Sequence, residues 1–491
     1  MIHKKSLAIV IALITANMLY SKPVTPDRAI LVAQNFWQQT TGQQARLLDV
    51  SAQTGFTKLY IFDVNQGKGY IVISANDVAY PVLAYSKQSG FGTSNIAPAV
   101  RELLNEYENH IAWALTFGNE ATSEVAKEWQ ALESNTSAHT SAHKAVDQLL
   151  TTTWNQDAPY NNLCPADSAG NRSVTGCVAT AMAQVMKYWE FPEHGIGTHS
   201  YSYEDRPIAV INMVGDSSAR WTYGTLTVDY ENTYYDWNNM PDHATTTSLP
   251  EEQEAVATLS YHCGVAVDMV YTPTGSGAFM TRAEVLGFDS INYSTEISAE
   301  VVIPQYFGYS PTTVGLMRDD YSIGEWLNLL KNELQNGRPI IYAGNSEGSD
   351  YGHAFVLDGY DAQYYFHCNF GWGGSYDGGF RLDEIAPTGG GLTMGYKQSG
   401  IFRMYPPGRG GSDENGITGN PHQKTDFTIT GQNRTINIDG QNIGKGEVYD
   451  IAGHRVSNFN ANGEQHIEIR VAKGGIFIVR TDNGSRKVFV R

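Results

Sequence analysis

TGCVATAMAQVMKYWEFP, residues 175–192, places one cysteine between a glycine turn and an apolar run that Pro192 ends. After Cys177 the run presents Val178, Ala179, Ala181, Met182, Val185, Met186, Tyr188 and Trp189, with Lys187 as its charge. Such a run reads as an enclosed helix stopped by proline. A thiol in its first turn faces the positive end of the helix dipole, which favours the thiolate, whereas burial alone does the reverse. Cys177 is therefore either a small packing residue or a nucleophile, and the rest of the chain decides.

Three stretches bear on that choice. In YGHAFVLDGYD (351–361), His353 follows a glycine and opens a strand, which puts its ring at a sheet edge. YFHCNFGWGG (365–374) sets Asn369 after another strand, ahead of a glycine-rich turn holding Trp372. An amide or carbonyl beside an imidazole fixes its tautomer, and an indole shields that bond from water. Upstream, TTWNQDAPYN (152–161) carries Gln156, whose uncharged NH2 suits a developing oxyanion without disturbing a thiolate–imidazolium pair. The order is Gln, Cys, His, Asn, with the thiol on a helix and the imidazole on a sheet. Two rigid elements can hold such a pair within reach.

The chain has 491 residues, enough for about two to four domains. Its 41% hydrophobic content supports packed cores, and its net charge of −18 disfavours nucleic acid and anionic membrane surfaces as partners. Residues 1–21 have a basic start at Lys4 and Lys5 and a short apolar stretch, the plan of a cleaved secretory signal, so export is expected and no membrane span. Residues 22–143 follow. Thr25 is set to cap a helix, LYIFDV (59–64) and GYIVISAN (69–76) read as a hairpin, and 97–117 is helical. These make a small α+β unit ending near residue 120, after which 118–145 drifts into an exposed Ser/Thr/Ala/His connector. His139 and His143 stand four apart there, but with no third ligand nearby they read as linker and not as a metal pair.

Residues 144–406 carry helices after Cys177, at 251–271 and at 323–335, and then short strands at 340–345, 353–361, 364–372 and 400–407. Helices followed by an antiparallel sheet make an α+β domain. Residues 407–424 are a linker by composition, and 425–491 alternate as a small β-sandwich. Of four cysteines, Cys164, Cys263 and Cys368 allow at most one disulfide if Cys177 stays unpaired.

The chain resembles the streptopain family, secreted papain-like cysteine proteases of the streptopain and interpain type. NQDAPYN, GCVATAMAQVMKYWEFP, GSGA, GHAFVLDGYD and NFGWGGSYDGGFRLD carry the resemblance, with GYIVISANDVAYPVLAYS in the N-terminal unit. The resemblance implies a papain-like fold, Cys177 as nucleophile and His353 as general base and acid. It also implies an oxyanion hole from Gln156 and the Cys177 N–H, with Asn369 and Trp372 supporting the imidazole. Ser276 and Gly352 match positions that contact substrate backbone. One departure is Phe370, where the family often has tryptophan. The expected activity is peptide hydrolysis with no cofactor or metal, on protein or peptide substrates. Residues 22–143 are then an inhibitory propeptide that covers the cleft and is cut from the enzyme in the connector. The last segment is similar to C-terminal sorting domains that engage the type IX secretion machinery, through VYDIAGHRV and GGIFIVRTDNGSRKVFVR. Two rivals stand beside this reading. One is a Cys-His transglutaminase or peptidoglycan amidase using Asp358 or Asp361. The other is a non-catalytic adhesin, suggested by the 29 tyrosines and the sandwich.

Overall fold

The computed structural model describes residues 21–94, 96–136, 144–202, 223–287, 295–345, 352–382, 386 and 397–410, and most of 427–490. The expected signal, the His139–His143 pair and most of the 407–424 linker lie outside them. No described helix is long and apolar enough to cross a membrane.

Thr25 caps α1 (Pro26–Thr41) by accepting the Arg28 N–H at 3.3 Å. Strand β1 (Leu47–Asp49) and the single turn α2 (Ser51–Thr54) lead into the hairpin of β2 (Leu59–Val64) and β3 (Gly69–Ser74), and then β4 (Val82–Ser86). The two-residue period of the strands sorts their side chains between two helical layers. Ile61, Tyr70 and Val72 pack under α3 (Pro98–Thr116), while Phe62, Ile71 and Ile73 pack with α1 and α4 (Ser123–Glu133). The unit therefore does not end near residue 120. Thr122 caps α4, and Val125, Trp129 and Leu132 form one apolar face at helical spacing inside a stretch whose Ser/Thr/Ala content masks it.

The middle of the chain is helical first. It comprises α5 (Cys177–Trp189), the pair β5 (Thr198–Tyr201) and β6 (Leu226–Asp229), α6 (Pro250–Ala266), α7 (Arg282–Gly287) and α8 (Ala299–Phe307). The sheet half follows with β7 (Val314–Met317), α9 (Ile323–Gln335), β8 (Ile340–Asn345), β9 (Gly352–Tyr360), β10 (Phe366–Asn369), β11 (Gly378–Phe380) and β12 (Lys397–Phe402). The α+β architecture is as expected; strands β7 and β11 are additions. Helix α5 packs on the sheet through Val178, Met182 and Val185, in one core with Ile341, Ala354 and Val356.

The sequence pattern does not announce that the sheet ignores the 143/144 boundary. A single ten-stranded sheet runs β1-β2-β3-β4-β11-β10-β9-β8-β12-β7, joined by Gly379↔Tyr85 and Phe380↔Ala84. One hydrophobic core accordingly holds Leu103, Leu104 and Tyr107 of α3 together with Trp326, Tyr342 and Phe355. The seam is also ionic. The Arg381 guanidinium, 4% exposed, donates to both oxygens of Glu128 at 2.9 Å and lies 3.7 Å from the centre of the Tyr80 ring.

The C-terminal segment forms β13 (Phe427–Gln432), β14 (Thr435–Gly440), β15 (Lys445–Asp450), β16 (Arg455–Asn460), β17 (His466–Arg470), β18 (Gly475–Thr481) and β19 (Gly484–Val490). They make a three-stranded and a four-stranded sheet around a shared core that includes Ile436, Ile438, Val448 and Val479, the expected sandwich.

All four cysteines are free, so the one disulfide that the count allowed does not form. Cys164, Cys263 and Cys368 are each buried, Cys263 against the Met186 sulfur at 3.8 Å and Cys368 within β10.

Removing one partner of a buried, bidentate ion pair strands the other charge. Glu128→Ala should therefore lower the unfolding free energy of the full chain by about 3–5 kcal/mol in urea titration. Pairing it with Arg381→Met should recover most of that loss. An unchanged midpoint for Glu128→Ala would show that the seam does not rely on this pair.

Candidate active site

Gly176 precedes α5 with φ +87°, a left-handed conformation that suits glycine, and a side chain there would meet the Met269 sulfur at 2.7 Å. That turn starts the helix at Cys177, which is half-buried. The Val178 and Ala354 N–H groups favour the anion of the sulfur, the first from the helix's own N-terminus and the second from β9. His353, second residue of β9 and 8% exposed, is the group whose charge most strongly favours the anion of the same sulfur. Its strand is held against β8 with His353 opposite Gly344.

Burial opposes charge on both groups, and the pair overrules it. Desolvation pushes the Cys177 thiol up, but the imidazolium of His353, its hydrogen bond and the two amides bring the thiol below its ordinary value. Desolvation pushes His353 down, but the thiolate and the Phe370 carbonyl raise it above its ordinary value. In the other three thiols burial prevails. Cys164 is pushed up to about 12, and Cys263 and Cys368 rise as well. Of the four, only Cys177 moves toward the anion.

The imidazole is oriented by a group that the sequence reading did not single out. Nε2 of His353 lies 3.0 Å from the Phe370 carbonyl, which accepts its proton and leaves Nδ1 for the sulfur. The Trp372 indole stands beside the ring, centroids 5.7 Å apart, with its Nε1 3.1 Å from the same Nε2. Both nitrogens carry a proton when Nε2 donates to Phe370, so this contact covers the edge of the ring and is not its acceptor. Asn369 does not touch the imidazole. Its carboxamide accepts from Gln184 Nε2 at 3.0 Å and from the Gly371 N–H at 3.1 Å, and donates to the Thr152 carbonyl at 2.7 Å. The chain turns sharply after β10, which points the Phe370 carbonyl where an amide was expected. On the far side Asp377, its carboxyl pushed up to about 7 by burial, accepts the Phe370 N–H at 2.9 Å.

Gln156 is half-buried in the segment leading to Cys177, where its carbonyl accepts the Thr175 N–H at 3.0 Å. Its carboxamide makes no hydrogen bond among the described residues. Ser276 is buried, and its hydroxyl donates to the Val174 carbonyl at 2.7 Å and accepts the Thr272 N–H at 3.0 Å, which pins its loop beside Gly176. Gly352 is exposed and opens β9 opposite Asn345. Neither Asp358 nor Asp361 pairs with His353: Asp358 holds His367 at 2.6 Å, and Asp361 accepts from the Tyr85 hydroxyl at 2.7 Å. No cluster of His, Cys, Asp or Glu able to hold a metal occurs among the described residues.

The N-terminal unit is hydrogen-bonded to the chain close to this site. Tyr70 donates to the Tyr376 carbonyl, Ser86 to that of Asp377 and Tyr107 to that of Arg381, while among the described residues none reaches Cys177 or His353. These bonds grip the chain that follows the 369–374 turn, and others reach Asp361 and Tyr365 ahead of it.

Gln184 escaped the sequence reading, although it is the one uncharged amide in an otherwise apolar helix. A buried amide among alanines and methionines needs partners, and that was the available signal.

Comparison with known proteins follows the same outline. Residues 154–380 match the peptidase C10 family, and residues 21–111 match the Spi protease inhibitor family. The chain is similar to the thiol protease/hemagglutinin PrtT of Porphyromonas gingivalis, 29% identical over 387 residues, 76% of this chain and 40% of that protein. It therefore spans well under half of PrtT. It is also similar to streptopain of Streptococcus pyogenes, 27% identical over 386 residues, 73% of this chain and 83% of streptopain. A solved fragment of Prevotella intermedia prointerpain A superposes with a TM-score of 0.56 at 31% identity, covering 74% of this chain and 99% of the fragment. With nearly the whole of that fragment matched and the paired thiol and imidazole in place, the chain belongs to the peptidase C10 family, the cysteine endopeptidases of streptopain and interpain type.

Proposed function

We propose that the chain is made as a zymogen and hydrolyses peptide bonds through an acyl-enzyme on Cys177. The observation that carries this is the placement of a thiol at the first turn of α5 and of an imidazole on β9 whose Nε2 is fixed on the Phe370 carbonyl at 3.0 Å. The displacement of sulfur toward anion and imidazole toward cation agrees with it. The thiolate attacks the scissile carbonyl, and His353 protonates the leaving amine. The imidazole, now neutral, takes a proton from water as that water attacks the thioester, and the sulfur leaves again as thiolate. The Gln156 carboxamide and the Cys177 N–H receive the oxyanion. Asn369 and Trp372 act around the imidazole, one through the turn that it shapes and one as a cover. Ser276 and Gly352 flank the sulfur and the imidazole as backbone contacts for substrate. A transglutaminase arrangement would pair the imidazole with a carboxylate, and here it faces a carbonyl.

Residues 22–143 act as the propeptide and hold the enzyme through sheet continuation, with processing in the 137–143 connector. The chain is secreted, and 425–491 direct it through the type IX route. Deleting 425–491 should retain an intact, active enzyme within the producing cell; its normal appearance outside would remove the sorting assignment.

In reductant, the full chain should cleave casein and shorten to a product starting near residue 144. Cys177→Ala should do neither while keeping its fold. Gln156→Ala should lower kcat by about a hundredfold, the usual cost of one oxyanion donor. Casein cleavage by Cys177→Ala would end the proposal.

The sign of the pH dependence follows from the pair. Because the thiol is lowered and the imidazole raised, the ion pair forms below the ordinary thiol value of 9.0 and persists above the ordinary imidazole value of 6.5. Activity should fall on the acid side as Cys177 gains a proton and on the alkaline side as His353 loses one. In His353→Ala only the two amides still oppose desolvation of the sulfur, so the pH profile of iodoacetamide alkylation at Cys177 should move to higher pH. A shift to lower pH, or none, contradicts the pairing.

A further inference from the structure

We infer that Gln184 is the positioning residue that keeps the His353 imidazole aimed at the sulfur, acting through Asn369 and the Phe370–Gly371 peptide. This rests on the Cys177–His353 reading above. Gln184 is completely buried and lies seven residues along α5 from Cys177. Seven residues are close to two helical turns, so the two side chains share one face. Thr180 stands between them on that face, and a side chain at Gly371 would meet its methyl at 3.0 Å. The face that carries the nucleophile therefore also lies against the turn that carries the acceptor of the imidazole.

Gln184 is held at both ends of its amide. Its Oε1 accepts from the Thr152 hydroxyl at 3.0 Å and the Trp154 N–H at 3.1 Å, and its Nε2 donates to Asn369 Oδ1 at 3.0 Å. Asn369 then has no freedom to rotate its amide end for end. Its Nδ2 is held by the Thr152 carbonyl, which can only accept, and its Oδ1 by the Gly371 N–H, which can only donate. The consequence falls on one peptide unit. The Gly371 N–H and the Phe370 C=O belong to the same plane and point opposite ways. Fixing the N–H on Asn369 directs the carbonyl at His353 Nε2. The backbone alone does not settle that direction, because Gly371, at φ +69°, adopts either sign of φ without cost.

The relay runs from Gln184 to Asn369, to the peptide, to His353 and back to Cys177, and it begins and ends on α5. Through Trp154 it also ties in the segment carrying Gln156: the Trp154 N–H is on Gln184 and its carbonyl accepts the Gly373 N–H at 3.0 Å. Sulfur, imidazole and oxyanion donor thus share one buried amide as reference. A role confined to satisfying buried polar groups would cost stability and leave the titration of the sulfur unchanged.

The test uses the full chain in reductant. Gln184→Met removes the relay, and Gln184→Glu keeps the shape and both accepted bonds while losing the donor to Asn369. Three quantities are read: thermal midpoint, kcat and KM on a peptide amide, and the pH profile of Cys177 alkylation. Misaiming of this kind costs about ten- to a hundredfold in kcat, with KM within about twofold. The acid limb of alkylation should move to higher pH in both variants, and also in Asn369→Ala. The double variant Gln184→Met/Asn369→Ala should be no worse than its worse parent, since the two residues act in one relay. Variants with unmoved acid limbs, or single losses that multiply in the double variant, overturn the role of Gln184, even if the midpoint falls. Should Gln184→Met fail to fold, Gln184→Glu decides by the same readings. If the wild-type chain shows no acid limb below the ordinary thiol range, the Cys177–His353 reading fails, and the inference falls with it.

Discussion

The chemistry proposed for this fold needs a sulfur anion with a cation against it, each carried by an element packed on the other. Desolvation works against both charges. The approach of a ring on β9 to the first residue of α5 is the largest effect that offsets that penalty, and the approach is only as good as the helix–sheet packing behind it. Val178, Met182 and Val185 on one side and Ala354 and Val356 on the other share that core, so the alignment of the pair is set by side-chain volume. The three remaining cysteines show what burial does where no imidazole faces the sulfur: each is held as the thiol.

The imidazole is aimed by backbone. A carbonyl has no rotamers, and this one is fixed by the bonds on either side of it, Asp377 to the Phe370 N–H and Asn369 to the Gly371 N–H. A side-chain amide contacting the ring directly would need its own orientation enforced. Here that enforcement is moved one step back, to a buried network of two amides that hold each other's ends.

The N-terminal unit is bound to the enzyme by the same forces that hold the enzyme together. Strand β4 continues the sheet at β11, and α3 shares a core with β8 and β9. The seam runs through Tyr376, Asp377 and Arg381, a few residues beyond the turn that presents the Phe370 carbonyl. Packing at the seam and geometry at the site are therefore parts of one rigid stretch of chain.

Much of this was legible in the residues. Helix α5, the capped α1, the β2–β3 hairpin and the C-terminal sandwich follow from periodicity, capping and turn chemistry, all of which act within a few residues. The paired types, cysteine on a helix and histidine on a strand, pointed to the chemistry. Other features depended on distance. Helix α4 hid in a Ser/Thr/Ala-rich stretch, because its apolar face has meaning only against α1 and β3. The β4–β11 pairing has no local signature, since the backbone groups that make it are the same in every residue. Asn369 was assigned to the imidazole by residue type, whereas the turn after β10 gave that place to a carbonyl and sent the amide to Gln184. The amino-acid order by itself determined which elements form and which side chains carry the chemistry. Tertiary structure decided which of those groups meet, because hydrogen-bond partners far apart in sequence are chosen by packing.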